Sequence, residues 1–162
     1  KENELEELKK KLSDANSKNT DMASRSTEQD KEITDLQNNN AGLTNSLNEM
    51  KKEVEELKKH TVYMGWTESH PVVQRFWRVM SELSNKDRSQ FLRFAWGRSR
   101  LPKTNNWPRP FKLNYSKAGD ELLPVSHTCF FQLDLPQYST DAIMKERLLV
   151  AIHFGSGEFM LR

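Results

Sequence analysis

An α+β domain, helices packed on a short-stranded sheet and preceded by a long coiled-coil helix, is the fold class the sequence predicts. Three observations predict it. Composition changes abruptly near residue 60: residues 1–59 hold no aromatic residue, no proline and one glycine, Gly42, whereas 60–162 hold all four tryptophans, eight phenylalanines, three tyrosines and six prolines. The first segment repeats every seven residues without a slip. The second alternates helix-period and strand-like stretches separated by turn residues. Only the second has the side chains for a globular core, and about 100 residues suffice for one small domain.

With Leu5 at position a, the a series is Leu5, Leu12, Asn19, Ser26, Ile33, Asn40, Leu47 and Val54, and the d series is Leu8, Ala15, Met22, Gln29, Leu36, Leu43, Met50 and Leu57. Twelve of the sixteen are apolar. An unbroken seven-residue repeat keeps one seam of two slightly underwound helices facing each other. Asn19 and Asn40 fit a parallel dimer, where their amides meet across the axis and fix register at a cost in stability. In that dimer each g residue approaches the next e residue of the partner helix. The charged pairs, Glu4 with Lys9, Arg25 with Asp30 and Glu53 with Lys58, are all opposite in sign. Residues 16–30 are poor in large apolar side chains and form the weak part of the rod. The expectation is a homodimer through residues 1–59, a continuous helix about 80–90 Å long at ~1.5 Å per residue.

In the second segment, SHPVVQRFWRVMSEL reads as a helix capped by Ser69 or His70, with Pro71 in its first turn and Val72, Phe76, Val79 and Met80 as the apolar stripe. NKDRSQFLRFAWG reads as a second, capped by Ser84 or Asn85, turning Phe91, Leu92 and Ala95 inward and ending at Gly97. RLPKTNNWPRPF, with three prolines and two asparagines, is a loop. FKLNY and TCFFQLDL have the content of short strands. STDAIMKERLLVAIHF is a third helix burying Ile143, Leu148, Ala151 and Ile152. Two glycines in GSGEFMLR disfavour its continuation, which leaves a flexible tail.

Charge divides as composition does, net −3 over residues 1–59 and +5 over the remainder. A surplus of that size is weak evidence for a polyanionic partner. Arg88, Arg93, Arg98, Arg100, Lys103 and Arg109, with Trp96 and Trp107, are framed by no nucleic-acid motif, so nucleic-acid binding is not expected. No apolar run approaches the roughly 18 residues of a membrane span, and the charged first residues are no secretory signal. One cysteine excludes an internal disulfide and a multi-cysteine zinc site. No metal and no cofactor are expected. The natural setting is reducing and intracellular: the cytoplasm, with the nucleus as the other compartment allowed.

That cysteine, Cys129, lies in PVSHTCFFQLDLP. Free cysteine is commonly a small buried hydrophobe, which Phe130 and Phe131 would suit. Against this, Ser126, His127 and Thr128 form a polar approach that places Cys129 at a loop-to-strand junction, where reactive groups are often displayed. A protease reading lacks a paired base, because in an extended chain His127 and Cys129 point the same way without meeting; His60, His70 and His153 have no supporting context. On the residues alone both readings of Cys129 stand.

HTVY, PVVQRFWRVM, RSQFLRFAWGRSRLP, LPVSHTCFFQLDLPQYS and ERLLVAIHF, in that order and spacing, resemble the C-terminal lobe of HECT-type ubiquitin ligases over nearly all of residues 60–162. LPVSHTCFFQLDLP is the most specific element. WGRSRLP, with Trp96 and Arg98 where many members have threonines, is more similar to the large HERC-like ligases. Following the coiled coil that the repeat predicts over 1–59, the resemblance implies a hinge over 60–68 with Gly65 as swivel and a catalytic lobe over 69–162, with a flexible tail at 155–162.

It further implies that Cys129 accepts ubiquitin from a ubiquitin-conjugating enzyme as a thioester, which a lysine of a protein substrate then attacks. Thioester exchange is nearly balanced, and a thiol is nucleophilic enough for positioning to supply much of the rate, so no fixed dyad is required. By the same resemblance, His127 and Thr128 shape the cysteine's loop, and Phe159, fourth from the C-terminus in FMLR, assists the transfer step. Leu133, Leu135 and Pro136 match the strand and turn behind the cysteine, and Asp134 reads as an outer-face charge or as an acid near the incoming amine. Residues 1–59 do not resemble the larger N-terminal lobe that recruits the conjugating enzyme. The competing expectation is therefore a dimeric interaction module whose lobe is catalytically weak or silent.

Overall fold

The structure, a computed structural model, describes residues 2–103 and 106–155 and divides into two compact units, Lys1–Leu47 and Asn48–Arg162. The first unit is helix throughout its described residues, part of α1 (Glu2–Lys59). Its heptad residues are exposed: Leu5, Leu8, Leu12, Met22, Ile33, Leu36, Leu43 and Leu47 are each about half or more accessible. Lys9 with Glu6 at 3.1 Å and Lys11 with Glu7 at 2.8 Å are solvent-exposed pairs, contributing a few tenths of a kcal/mol at most.

The second unit begins inside α1. Residues 48–59 close on the globular core, where Val54 and Leu57 are each 3% exposed. The chain then enters a four-stranded sheet in the order β1 (Thr61–Met64), β2 (Phe111–Tyr115), β4 (Gln132–Leu135), β3 (Val125–His127). β1 and β4 flank β2 in parallel, and β3 returns antiparallel to β4. Period-two alternation sorts the strands. Phe111, Leu113, Leu133 and Leu135 are buried, while Asn114, Gln132 and Asp134 occupy the alternate positions.

Three helices complete the core: α2 (Pro71–Glu82), α3 (Asn85–Trp96) and α4 (Asp141–Gly155). The expected caps are present. His70 Nδ1 accepts from Val72 N–H at 3.2 Å ahead of Pro71. Ser84 Oγ accepts from Asp87 N–H at 3.1 Å and donates to Asp87 Oδ2 at 2.7 Å, a reciprocal cap. Gly97, at φ 75°, closes α3 with its N–H on Arg93 O. Asp141, in the first turn of α4, accepts from Arg75 Nε and Arg78 Nε, each at 2.9 Å, and so ties α4 to α2.

The structure differs from the expected elements in four places. Residues 60–68, expected as a hinge, contain β1, paired residue for residue with β2. Edge pairing of TVYM escaped a reading based on hydrophobic alternation, because Thr61 and Tyr63 are only half-buried and Val62 and Met64 are exposed. Val54 and Leu57, expected at a and d positions against a partner helix, are buried in this core. TCFFQLDL is not one strand: Thr128–Phe130 is a 3₁₀ turn and β4 starts at Gln132. In α4 the buried residue of the first turn is Met144, with Ile143 half-buried.

Gly65, expected as a swivel, is a packed position. Its φ of 75° lies in the left-handed region, and a Cβ there would stand 2.8 Å from Tyr115 Cβ. Gly65→Ala combines an unfavourable backbone conformation with a clash, and is expected to destabilise the unit by about 1–3 kcal/mol, read as a lowered thermal midpoint. A midpoint within error of the parent would show that this turn has room to give.

Candidate functional site

Cys129 is exposed at the centre of the one-turn 3₁₀ helix Thr128–Phe130, which joins antiparallel β3 and β4. Phe131 forms this turn. Its N–H returns to Thr128 O at 3.3 Å, and its φ of 50° makes it the sole non-glycine residue with positive φ among the described residues. A bulky side chain in that region costs about 1–2 kcal/mol, so the surroundings must hold it there. The Phe131 ring is fully buried, stacked on Trp96 with centroids 4.4 Å apart and planes 11° apart, and tilted against Phe111 at 5.0 Å. The stack continues from Trp96 to Trp107 at 6.2 Å and from Trp107 to His60 at 4.1 Å. An aromatic column, buried at Phe131 and Trp96, thus fixes the residue two beyond Cys129 and leaves Phe130, 60% exposed, beside the thiol. Arg109 donates to the Cys129 carbonyl from the neighbouring loop.

On the alternate face of the strands, Asp134 collects three donors. His127 Nε2 lies 2.9 Å from Oδ2, and Asn114 Nδ2 and Gln132 Nε2 each lie 2.9 Å from Oδ1. The ladder explains the first contact. Val125 faces Asp134, so His127, two residues further along β3, is its diagonal neighbour, within reach of a long side chain. Partial burial pushes the Asp134 carboxyl up, but the hydrogen bonds from His127, Asn114 and Gln132 together outweigh it and hold the group below its ordinary value. Asp134 is therefore an ionised acceptor that orients His127, not a proton donor.

The sign of that shift sets a pH dependence. A carboxyl lowered in the native state contributes stability above its unfolded value, and loses it as pH falls through the lower native value. Asp134→Asn should therefore flatten the acid limb of the stability curve below about pH 4, while costing stability at neutral pH. Denaturant midpoints measured across that range check this, and parallel curves for parent and variant would reject the linkage.

Of the residues singled out from the sequence, Cys129, His127 and Thr128 lie on one short hairpin. Phe159 and residues 156–162 of the tail lie outside the described residues, and Gly155 is the last residue of α4. Leu133 and Leu135 are core side chains. The basic set does not form one exposed face: Arg88 is 3% exposed and ion-paired with Glu53 at 3.4 Å. Trp96 is buried and Trp107 half-buried, both within the column. Asn114, Gln132, Arg109 and Phe131 were missed as site residues. Asn114 and Gln132 carried a weak signal, being polar at alternating positions of otherwise apolar strands.

The HECT-domain (ubiquitin-transferase) family profile matches residues 33–162, beginning well before the 60–162 expected from the motifs. The chain is 47% identical over 102 residues to E3 ubiquitin-protein ligase HERC2 of Mus musculus, an alignment covering 60% of this chain and 2% of that protein. It is 43% identical over 103 residues to E3 ubiquitin-protein ligase RSP5 of Saccharomyces cerevisiae, covering 59% of this chain and 12% of that protein. To E3 ubiquitin-protein ligase UPL1 of Arabidopsis thaliana it is 37% identical over 109 residues, covering 63% and 3%. The chain thus spans only a small part of the length of these relatives.

Proposed function

Because the chain belongs to the HECT-domain family, we propose that Cys129 takes ubiquitin from a ubiquitin-conjugating enzyme as a thioester and passes it to a lysine of a protein substrate. The observation that carries this reading is an exposed thiol on a short turn whose shape is set from beneath by the buried rings of Phe131 and Trp96. In the first step the Cys129 Sγ thiolate attacks the carbonyl carbon of the incoming thioester, and the conjugating enzyme's thiolate leaves. In the second a substrate lysine amine attacks the new thioester, Cys129 Sγ leaves as thiolate, and the amine's proton passes to solvent base. Neither step requires a base fixed on the sulfur, which agrees with His127 Nε2 being engaged by Asp134. His127 and Thr128 shape the turn in this reading, and Phe159 assists the second step from the tail. Phe130, exposed beside the thiol, and Val125, exposed on the strand leading into the turn, offer apolar surface to an incoming protein.

The same reading assigns residues of α1 to a parallel homodimer, supported by the exposed heptad stripe and by Asn19 and Asn40 at a positions. It places the protein in the cytoplasm. The test mixes the chain with conjugating enzymes already charged with ubiquitin and resolves the products without reductant. An adduct that thiol reductants remove and Cys129→Ala abolishes is expected. No adduct across a broad enzyme panel, with a HECT N-terminal lobe supplied in trans, would overturn the assignment in favour of an interaction module.

A further inference from the structure

The heptad seam of α1 is used in two incompatible ways along its length. Over the first unit its a and d residues are exposed; Leu36, Leu43 and Leu47 are 56%, 69% and 47% accessible. In the second unit the same register runs on through Met50, Val54 and Leu57, but Val54 and Leu57 are turned into the protein's own core and Met50 is half-buried. Val54 and Leu57 lie with Met80, Leu92 and Leu101 around a gap of only about 10 Å³. Glu53, the g residue expected to meet Lys58 of a partner, instead lies 3.4 Å from Arg88 Nε. Arg88 is almost wholly buried. Its Nη1 donates to Met50 O at 3.4 Å and its Nη2 to Asn85 Oδ1. Burial pushes this guanidinium down, and Glu53 is the neighbouring charge that offsets it.

A two-stranded coil brings helix axes to within about 8–10 Å and inserts every a and d side chain between four residues of the partner helix. Val54 and Leu57 cannot fill those holes while filling the lobe. We infer that the dimer seam ends at Leu47: a second copy of this chain pairs along residues 5–47, and residues 48–59 of each copy are withheld as a structural element of its own lobe. This rests on the dimer reading above. A second copy is the occupant because the charged g-to-e pairs that remain, Glu4 with Lys9 and Arg25 with Asp30, are opposite in sign, and because Asn19 and Asn40 recur in register with themselves in a parallel pair. The consequence is a weaker dimer than the full repeat implies. Three of its twelve apolar a and d residues belong to the lobe, and nine of thirteen remain over 5–47.

The inference is tested with single cysteines at d positions in a Cys129→Ala background: Leu36→Cys, Leu43→Cys, Met50→Cys and Leu57→Cys, each in the full chain under a glutathione redox buffer. Leu36→Cys and Leu43→Cys are expected to give disulfide-linked dimers. Met50→Cys and Leu57→Cys should cross-link roughly tenfold or more slowly, Leu57→Cys because the lobe must first open and Met50→Cys because the pairing stops short of it, and Leu57→Cys should resist maleimide until denaturant is added. If Leu57→Cys loses the lobe's melting transition, Met50→Cys, at a half-buried site, carries the comparison. Cross-linking at Met50→Cys or Leu57→Cys as fast as at Leu43→Cys would overturn the inference and leave the dimer standing. No cross-link at Leu36→Cys or Leu43→Cys, with a sedimentation mass of one chain, would overturn both.

Discussion

Cys129→Ala is expected to abolish the reductant-sensitive ubiquitin adduct completely while leaving the thermal midpoint nearly unchanged. The separation follows from position. Cys129 is exposed on a turn whose shape is maintained by Phe131 underneath, so truncating its side chain removes no core contact. Surface substitutions of this kind usually stay within about 0.5 kcal/mol. Chemistry, by contrast, depends on the sulfur wholly. Cys129→Ser provides the graded control: a hydroxyl is a far weaker nucleophile at neutral pH, so loading slows severely, and any adduct that forms is an oxygen ester that resists thiol reductants and yields to base. Reductant-sensitive loading that survives in Cys129→Ala would end the assignment, since the chain has no other cysteine.

Phe131→Ala should have the largest effect on stability, and it couples stability to the site. The ring is fully buried between Trp96 and Phe111, and deleting such a ring costs about 3–5 kcal/mol. That is a large share of the ~5–15 kcal/mol available to a small domain, and it corresponds to a midpoint lowered by roughly 10–20 °C. The backbone adds a sharper expectation. At φ 50° alanine suffers the same left-handed penalty as phenylalanine, whereas glycine does not. Phe131→Gly leaves a cavity larger only by the Cβ, so relief of the backbone should make it at least as stable as Phe131→Ala, by up to about 1 kcal/mol, the reverse of the order in regular structure. Denaturant titration of the two variants decides it. An alanine variant more stable by that amount would mean that the turn carrying Cys129 is not held left-handed. Both variants should also load ubiquitin more slowly than their folded fraction accounts for, because the turn is no longer pinned from below.

Much of the fold was legible in local pattern. α2 and α3 could be read because each carries its own punctuation: Pro71 behind His70, Ser84 reciprocating with Asp87, Gly97 at the end. β2 could be read because Phe111 and Leu113 alternate with polar residues. What failed had no local signature. β1 is an edge strand with Val62 and Met64 exposed, and only its pairing with β2 makes it a strand. β3 is three residues long and exists through β4. The turn at Thr128–Phe130 reads as extended because its aromatics favour strands, yet Phe131 is drawn inward by Trp96, which lies 35 residues earlier in sequence.

The candidate site divides in the same way. Cys129 and its neighbours stand out in LPVSHTCFFQLDLP, but the grouping of His127, Asn114 and Gln132 around Asp134 does not, since it needs β2, β3 and β4 laid side by side. Chemical identity, heptad register and caps are properties of residues within a few positions of one another, and the sequence by itself determined them. Which partner a side chain finds was decided only by the tertiary structure. Val54 and Leu57 satisfy the seven-residue repeat as well as Leu36 and Leu43 do, yet they are buried in the lobe. Periodicity specifies that a face is apolar, and the competition between surfaces for that face is settled by what the folded chain brings against it.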